Sequence, residues 1–410
     1  MKRISRLFLL IFLFLVVSTW HGCSRWKQRH EQAKDETAWQ AVVDSVGRAL
    51  VPDKRDHVFE LKIRKGKNGG WILYGPTDVA EAFGRVRQAL PGEMVVKDSV
   101  RLLPVKEYAG KAGVVTLSVS NVRTAPSHKA ELATQLLMGM PVRILERQDD
   151  FYRIRTPSGY LGWTDAEALE VMDKEAFGRW LESPKLVMTD NCGAVYDSVV
   201  PGAAQVSDLV RNDVLELVRQ YGDYYLVALP DGTTGYVPEP SCVLMKEWEQ
   251  MNRRFASPED VVMEARQHYG GIPYLWGGTS MKGLDCSGFT KNLYQSFGFL
   301  LPRDASQQYR ALKPVPLTEH LDSVEAGDLL FFGRRTSGGN KITHVALYTG
   351  SGRIIHATGR VKTESLFPSD SLYNEQRRNT LLGAGRVFGY YQGRIYPYYG
   401  PEAMKIFFSE

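Results

Sequence analysis

Long apolar runs are scarce in this chain. One, from Leu7 to Val17, follows a basic start and is too short to span a bilayer, so it reads as a secretory leader. No other segment is long and apolar enough to cross. Excess charge is scarce too. The formal net charge is +5, and it drops to +2 once Lys2, Arg3 and Arg6 leave with the leader. No concentrated basic face remains, so no nucleic-acid partner is expected. His, Asp, Glu and Cys never cluster at zinc spacing, which argues against a metal mechanism, and no cofactor is expected. With 43% hydrophobic and 24% charged residues the chain is globular, and 410 residues suggest roughly two to four domains.

Cysteine is sparse as well, with four in the chain. The run Ser18-Thr19-Trp20-His21-Gly22-Cys23 resembles a bacterial lipoprotein signal, with Trp20 where an aliphatic residue is usual. That resemblance implies cleavage after Gly22, acylation of Cys23, and a periplasmic protein whose membrane association is through its lipid alone. Cleavage and release is the alternative. In an exported protein Cys192 and Cys242 form either a disulfide or two free thiols. Cys286 stands apart. It lies in the stretch Gly270–Gly288, GGIPYLWGGTSMKGLDCSG, and from Ser287 onward Phe289, Leu293 and Phe297 recur at helical spacing. The thiol therefore sits near a helix N-terminus, where backbone N–H groups and the dipole favour a thiolate. A nucleophile is the first reading and a buried structural thiol the second.

In chain order, residues 1–22 form the leader and 23–36 a polar tether. Residues 37–105 read as a small α/β unit. Its helix is expected over Thr37–Leu50, strands over His57–Ile63 and Trp71–Tyr74 with a hairpin at Asn68-Gly69, and a second helix from Pro76-Thr77-Asp78 to Pro91-Gly92. From about Lys106 the texture changes to short strands with frequent turns. Residues 106–172 carry Asn121-Val122-Arg123, Pro141-Val142-Arg143-Ile144-Leu145, Tyr152-Arg153-Ile154 and Gly159-Tyr160-Leu161-Gly162-Trp163 in an order similar to a bacterial SH3-like barrel. A helix over Asp165–Leu181 is expected to lead into a degenerate second copy at 173–248. Aligning Gly159-Tyr160 with Gly235-Tyr236 gives a spacing of 76 residues.

Residues 249–410 open with Ser257-Pro258-Glu259-Asp260, a helix start. Helices come first and an antiparallel sheet after, which implies α+β. His344 and His356 bracket a hairpin. A three-residue turn centred on Gly350 would place them face to face, with Cβ atoms about 4.5–5.5 Å apart. A cysteine, a base and a group orienting the base form the logic of cysteine hydrolases. A thiolate–imidazolium pair would hold the thiol pKa at roughly 3.5–7.5.

The ordered motifs P-Y-x-W-G-G, D-C-S-G-F, P-R-x-x-x-x-Q, G-D-L-x-F-F, H-V-x-x-Y and I-x-H-A resemble the NlpC-type papain-like cell-wall peptidases over roughly residues 258–390. The resemblance implies an α+β papain-like catalytic domain behind two SH3-like barrels and the N-terminal α/β unit. It makes Cys286 the nucleophile, His344 the base, His356 the orienting group and Tyr274 an oxyanion aid. It further implies substrate contacts from Asp285, Ser287, Asp304, Ser306 and Tyr160, with the two acids holding the free amine of an N-terminal L-alanine. Ala305 stands where relatives often have serine. Taken as simple structure, Asp285 caps the catalytic helix and Asp304 solvates a loop. Murein-derived peptides, L-Ala-γ-D-Glu-diamino acid, are the implied partners, and cleavage of the γ-D-glutamyl bond the implied activity. An inactive wall-binding adaptor, and an amidase or endopeptidase on intact peptidoglycan, are the competing readings.

Overall fold

The structure is a computed structural model that describes residues 33–408 apart from Asn68. The leader, Cys23, most of the tether and Asn68 of the expected hairpin lie outside the described residues. The chain forms two compact units that divide between Val105 and Lys106.

In the first unit a helix over residues 33–50 covers a three-stranded sheet. The middle strand, Trp71–Thr77, pairs antiparallel with Lys62–Lys65 and parallel with Val96–Leu102. The second helix starts only at Ala82, not at Pro76 as expected. Thr77 Oγ1 donates to the Val58 carbonyl at 2.8 Å, and Asp78 accepts from Val58 N at 2.9 Å, so this stretch is held extended.

The second unit begins with two barrels of seven strands each. The first uses Lys111–Val115, Val119–Arg123, Leu132–Leu137, Pro141–Gln148, Phe151–Arg155, Leu161–Asp165 and Leu169–Asp173. The second uses Lys185–Met188, Cys192–Tyr196, Gln205–Val210, Val214–Tyr221, Tyr224–Ala228, Thr234–Pro238 and Cys242–Leu244. Numbered one to seven along the chain, both have the spatial order 7-1-4-5-6-2-3. The degenerate copy thus keeps the topology of the first. The helix expected over Asp165–Leu181 is instead a short turn at Ala166–Ala168, the strand Leu169–Asp173 and a helix, Lys174–Glu182. Antiparallel pairing of Leu169–Asp173 with Lys111–Val115 claims those residues for the sheet, overriding local periodicity. Cys192 is exposed and Cys242 buried, and both are free thiols.

Elements of the catalytic domain are labelled in chain order. Helix α1 (Pro258–His268) starts with a reciprocal Ser257/Asp260 capping box, as its sequence predicts. Then come α2 (Cys286–Gln295), α3 (Ala305–Ala311), β1 (Lys313–Val315), β2 (Leu329–Thr336), β3 (Gly339–Tyr348), β4 (Arg353–Thr358), β5 (Arg360–Ser365), α4 (Glu375–Thr380) and β6 (Leu381–Arg386). The sheet order is β1-β6-β2-β3-β4-β5, antiparallel throughout. Every residue of α2 is buried, with Phe289 and Leu293 packed in one core with Phe331, Val345, Leu347 and Ile355. A Cβ at Gly288 would collide with the Gly278 carbonyl, so glycine lets the helix start press against the preceding loop.

The barrels clamp this domain. Gln135 exchanges hydrogen bonds with Thr279 through Gln135 N at 3.2 Å, Gln135 Oε1 at 3.0 Å and Gln135 O at 3.0 Å. Asn212 of the second barrel donates to Asn292 O of α2 at 3.2 Å. The barrels lock to each other where the buried Asp213 side chain accepts from Met138 N at 3.0 Å and Val210 N at 2.8 Å. Gly139 stands beside it at φ +74°, and a Cβ there would strike the Val214 carbonyl. Gly139→Ala should therefore lower the unfolding free energy by about 2–4 kcal/mol. Denaturant titration checks this, and an unchanged midpoint would contradict the lock.

Candidate active site

Cys286 opens α2 behind Asp285, and its side chain is 9% exposed. The backbone N–H groups of Val345 and Ser287 donate toward its sulfur. Val345 follows His344 on β3, so the helix start meets the strand that carries the base.

Strands β3 and β4 pair as Leu347↔Ile355 and Tyr348↔Ile354. The three-residue turn is therefore Gly350-Ser351-Gly352, one residue later than expected, and Ser351 takes φ +51°. His356 then lies diagonal to His344 rather than opposite it. Their even separation keeps both on one face, and diagonal neighbours remain within reach of long side chains. His344 Nε2 and His356 Nδ1 are 2.7 Å apart, with the rings near perpendicular at 88°.

The chain continues to Glu364 on β5, which the sequence reading missed. Its Oε2 lies 3.0 Å from His356 Nε2, a close contact without full hydrogen-bond alignment. The same carboxylate takes Lys362 Nζ at 2.7 Å and Asn374 Nδ2 at 2.8 Å. Burial opposes its charge, but His356 and Lys362 win and hold the carboxyl at about 2. An ionised Glu364 asks for a proton on His356 Nε2. His356 Nδ1 is then an acceptor, His344 Nε2 its donor, and the lone pair of His344 Nδ1 is left open. A signal for Glu364 existed. Gly359 separates two alternating runs, and the resulting hairpin pairs His356 with Lys362 and Ile354 with Glu364.

The surroundings of both groups oppose the expected ion pair. Burial, then Asp285, pushes the Cys286 thiol up to about 11, against the opposing pull of Val345 N–H, Arg303 and Ser287 N–H. Burial, with Arg377 and His356 adding to it, drives His344 well below its ordinary range. Burial thus favours the neutral thiol and the neutral imidazole, because desolvation outweighs the few donors near the sulfur.

Asp285, Ser287, Arg303, Asp304 and Tyr160 come together beside the nucleophile. Asp285 caps α2 by accepting from Gly288 N at 2.7 Å, and it also accepts from Gly277 N at 3.0 Å. Arg303 grips it with two donors, at 3.2 and 2.5 Å, and gives 3.0 Å to Ser287 Oγ. Arg303 Nη1 is 3.9 Å from Asp304 Oδ1, and Tyr160 Oη from the first barrel donates to Asp304 Oδ2 at 3.3 Å. Asp304 also forms a capping box with Gln307 at the start of α3, so it does more than solvate a loop. Ser306 follows in that first turn, half-buried. The Tyr274 hydroxyl is pushed up to about 12, by burial first and then by Cys286 and Asp285, so it stays protonated as a donor near the thiol. Trp276 is 64% exposed and donates to Glu131 Oε1 at 2.6 Å, so it belongs to the barrel contact and not to a core.

A cysteine at a buried helix start, backed by a histidine–histidine–carboxylate chain, defines a cysteine peptidase site. The NlpC/P60 family profile matches residues 271–380, and the bacterial SH3 domain profile matches residues 118–170. The chain is 30% identical over 255 residues to a gamma-D-glutamyl-L-lysine dipeptidyl-peptidase of Bacillus subtilis strain 168, covering 60% of this chain and 79% of that relative. It is 28% identical over 290 residues to dipeptidyl-peptidase 6 of Lysinibacillus sphaericus, covering 67% of this chain and 99% of that relative. An NlpC/P60 family protein from Bacillus cereus ATCC 10987, of known crystal structure, shares the fold with a TM-score of 0.56 at 23% identity, over 67% of this chain and 99% of that one. The chain belongs to the NlpC/P60 family of cysteine peptidases, and it is a cell-wall peptidase.

Two outcomes follow from this geometry. Alkylation of Cys286 in the free enzyme by iodoacetamide should climb steadily from about pH 6 to pH 9, because the thiol is raised and His344 lowered; a plateau from about pH 5 upward would mean a preformed ion pair. Glu364→Gln should lower kcat roughly 10- to 100-fold with little change in KM. An unchanged kcat would remove Glu364 from the chain of proton partners.

Proposed function

We propose that the chain hydrolyses the γ-D-glutamyl-L-diamino acid bond of murein stem peptides that begin with a free L-alanine. The observation that carries this reading is the Asp285–Arg303–Asp304–Tyr160 group beside the nucleophile. Two carboxylates and one guanidinium leave one negative charge in excess, and a single ammonium balances it. Asp285 is already occupied by Arg303 and two backbone donors, so Asp304 with Tyr160 meets the amine directly. Asp285 acts through Arg303, and Ser287 and Ser306 border the same pocket. An N-acylated alanine has no charge to offer and leaves the excess negative charge of the group unbalanced. Two of the relatives above are named for dipeptidyl release, in accord with a site that counts from the amino end.

In this reading the Cys286 proton passes to His344 Nδ1 as the sulfur attacks the γ-glutamyl carbonyl. The Tyr274 hydroxyl supports the developing oxyanion. His344 then protonates the leaving amine, and His356 and Glu364 stabilise the charge it carries meanwhile. Water, activated by the same imidazole, frees L-Ala-D-Glu from the acyl-enzyme. We also propose export and lipid attachment at Cys23, on the leader sequence alone; labelling with a radioactive fatty acid that persists in Cys23→Ser would contradict it.

The test is incubation with L-Ala-γ-D-Glu-diaminopimelate and its N-acetyl form. Release of L-Ala-D-Glu from the free amine alone is expected, and cleavage of intact murein instead would overturn the amine requirement. Cys286→Ala should abolish turnover while keeping fragment binding by calorimetry.

A further inference from the structure

Arg377 lies on α4, directly above the catalytic face. Its guanidinium sits 5.8 Å from the centre of the Phe332 ring. Phe332 is the direct cross-strand partner of His344, and their rings are 5.8 Å apart. The position is fixed from below, because Asn374 Oδ1 accepts from Arg377 N at 3.0 Å while Asn374 Nδ2 donates to Glu364. Among the described residues no carboxylate or carbonyl takes a hydrogen bond or ion pair from the Arg377 guanidinium. Glu364, the acid whose charge it feels, is already filled by His356, Lys362 and Asn374. The neighbouring Arg378, by contrast, is satisfied by the Glu319 carbonyl at 2.7 Å. Arg377 is thus a half-buried planar cation with its donors uncommitted, close enough for its charge to act on Cys286, His344 and His356.

The side of the scissile bond follows from the chemistry. His344 hands its proton to the leaving nitrogen, so the leaving residue lies over the His344–Phe332 face. The amine-binding acids lie on the other side, against α3 and the first barrel. We propose that Arg377 is a specificity residue that binds a carboxylate of the leaving diamino acid, through the paired N–H fork that suits a carboxylate. The inference rests on the γ-glutamyl reading for which residue leaves, but the recognition it describes is one of binding.

Binding to the Cys286→Ala chain tests it apart from turnover. The probes are L-Ala-γ-D-Glu-L-Lys, its C-terminal amide, the diaminopimelate analogue amidated at its α-carboxyl, and the form amidated at the glutamyl α-carboxyl. Loss of the leaving residue's carboxylate should weaken binding about 10- to 100-fold. The second and third probes tell the α-carboxylate from the side-chain carboxylate as its source. Adding Arg377→Gln should erase that difference, Arg377→Lys should restore part of it, and Arg378→Gln should leave it intact. The same fold-difference persisting in Arg377→Gln overturns the proposal. So does an Arg377-dependent loss confined to the glutamyl-amidated probe, or failure of every probe to bind. Carboxylate-dependent binding through Arg377 with wild-type cleavage at another bond would sustain it while refuting the γ-glutamyl reading.

Discussion

The charge on Glu364 decides where the protons sit in this site. It is the carboxylate of a buried line that runs through His356 to His344. With that charge fixed, one tautomer of each ring satisfies its neighbours, and the free lone pair falls on His344 Nδ1. His356 and Lys362 favour the ionised Glu364, and Asn374 helps hold it in place. The β4–β5 hairpin and the start of α4 therefore supply the groups that surround His356.

A second buried charge pair organises the opposite wall. Arg303 and Asp285 fasten the loop before α3 to the start of α2, and the same arginine leans on Asp304. Because Tyr160 reaches Asp304 from the first barrel, the cleft is completed by a domain other than the catalytic one. The Gln135–Thr279 bonds and the Asp213 lock between barrels keep that wall in register. The barrels thereby shape the cleft directly. Burial within this enclosure favours the uncharged forms of the Cys286 thiol and the His344 imidazole.

Much of this was legible in the sequence because the motifs are local. The helix start at Cys286, the capping box of α1 and the two histidines around a hairpin follow from spacing and turn chemistry. The register of that hairpin did not, since Gly350-Ser351-Gly352 permits two turn placements and only the sheet selects one. Glu364 was missed because its partner lies across a second hairpin. Arg377 was missed because α4 meets the site only through tertiary packing over Phe332. The strand Leu169–Asp173 was mistaken for helix for the same reason: its partner, Lys111–Val115, is some sixty residues away in sequence. Asp285 was legible as the cap of α2, and its second partner, Arg303, was not, because that arginine arrives from the loop before α3.

The imidazole nitrogens report most directly on the central claim. Long-range 15N–1H correlation spectra of the free enzyme at neutral pH should show His356 protonated at Nε2 and bare at Nδ1, and His344 protonated at Nε2 and bare at Nδ1. A proton on His356 Nδ1, or an imidazolium at His344, would contradict the account.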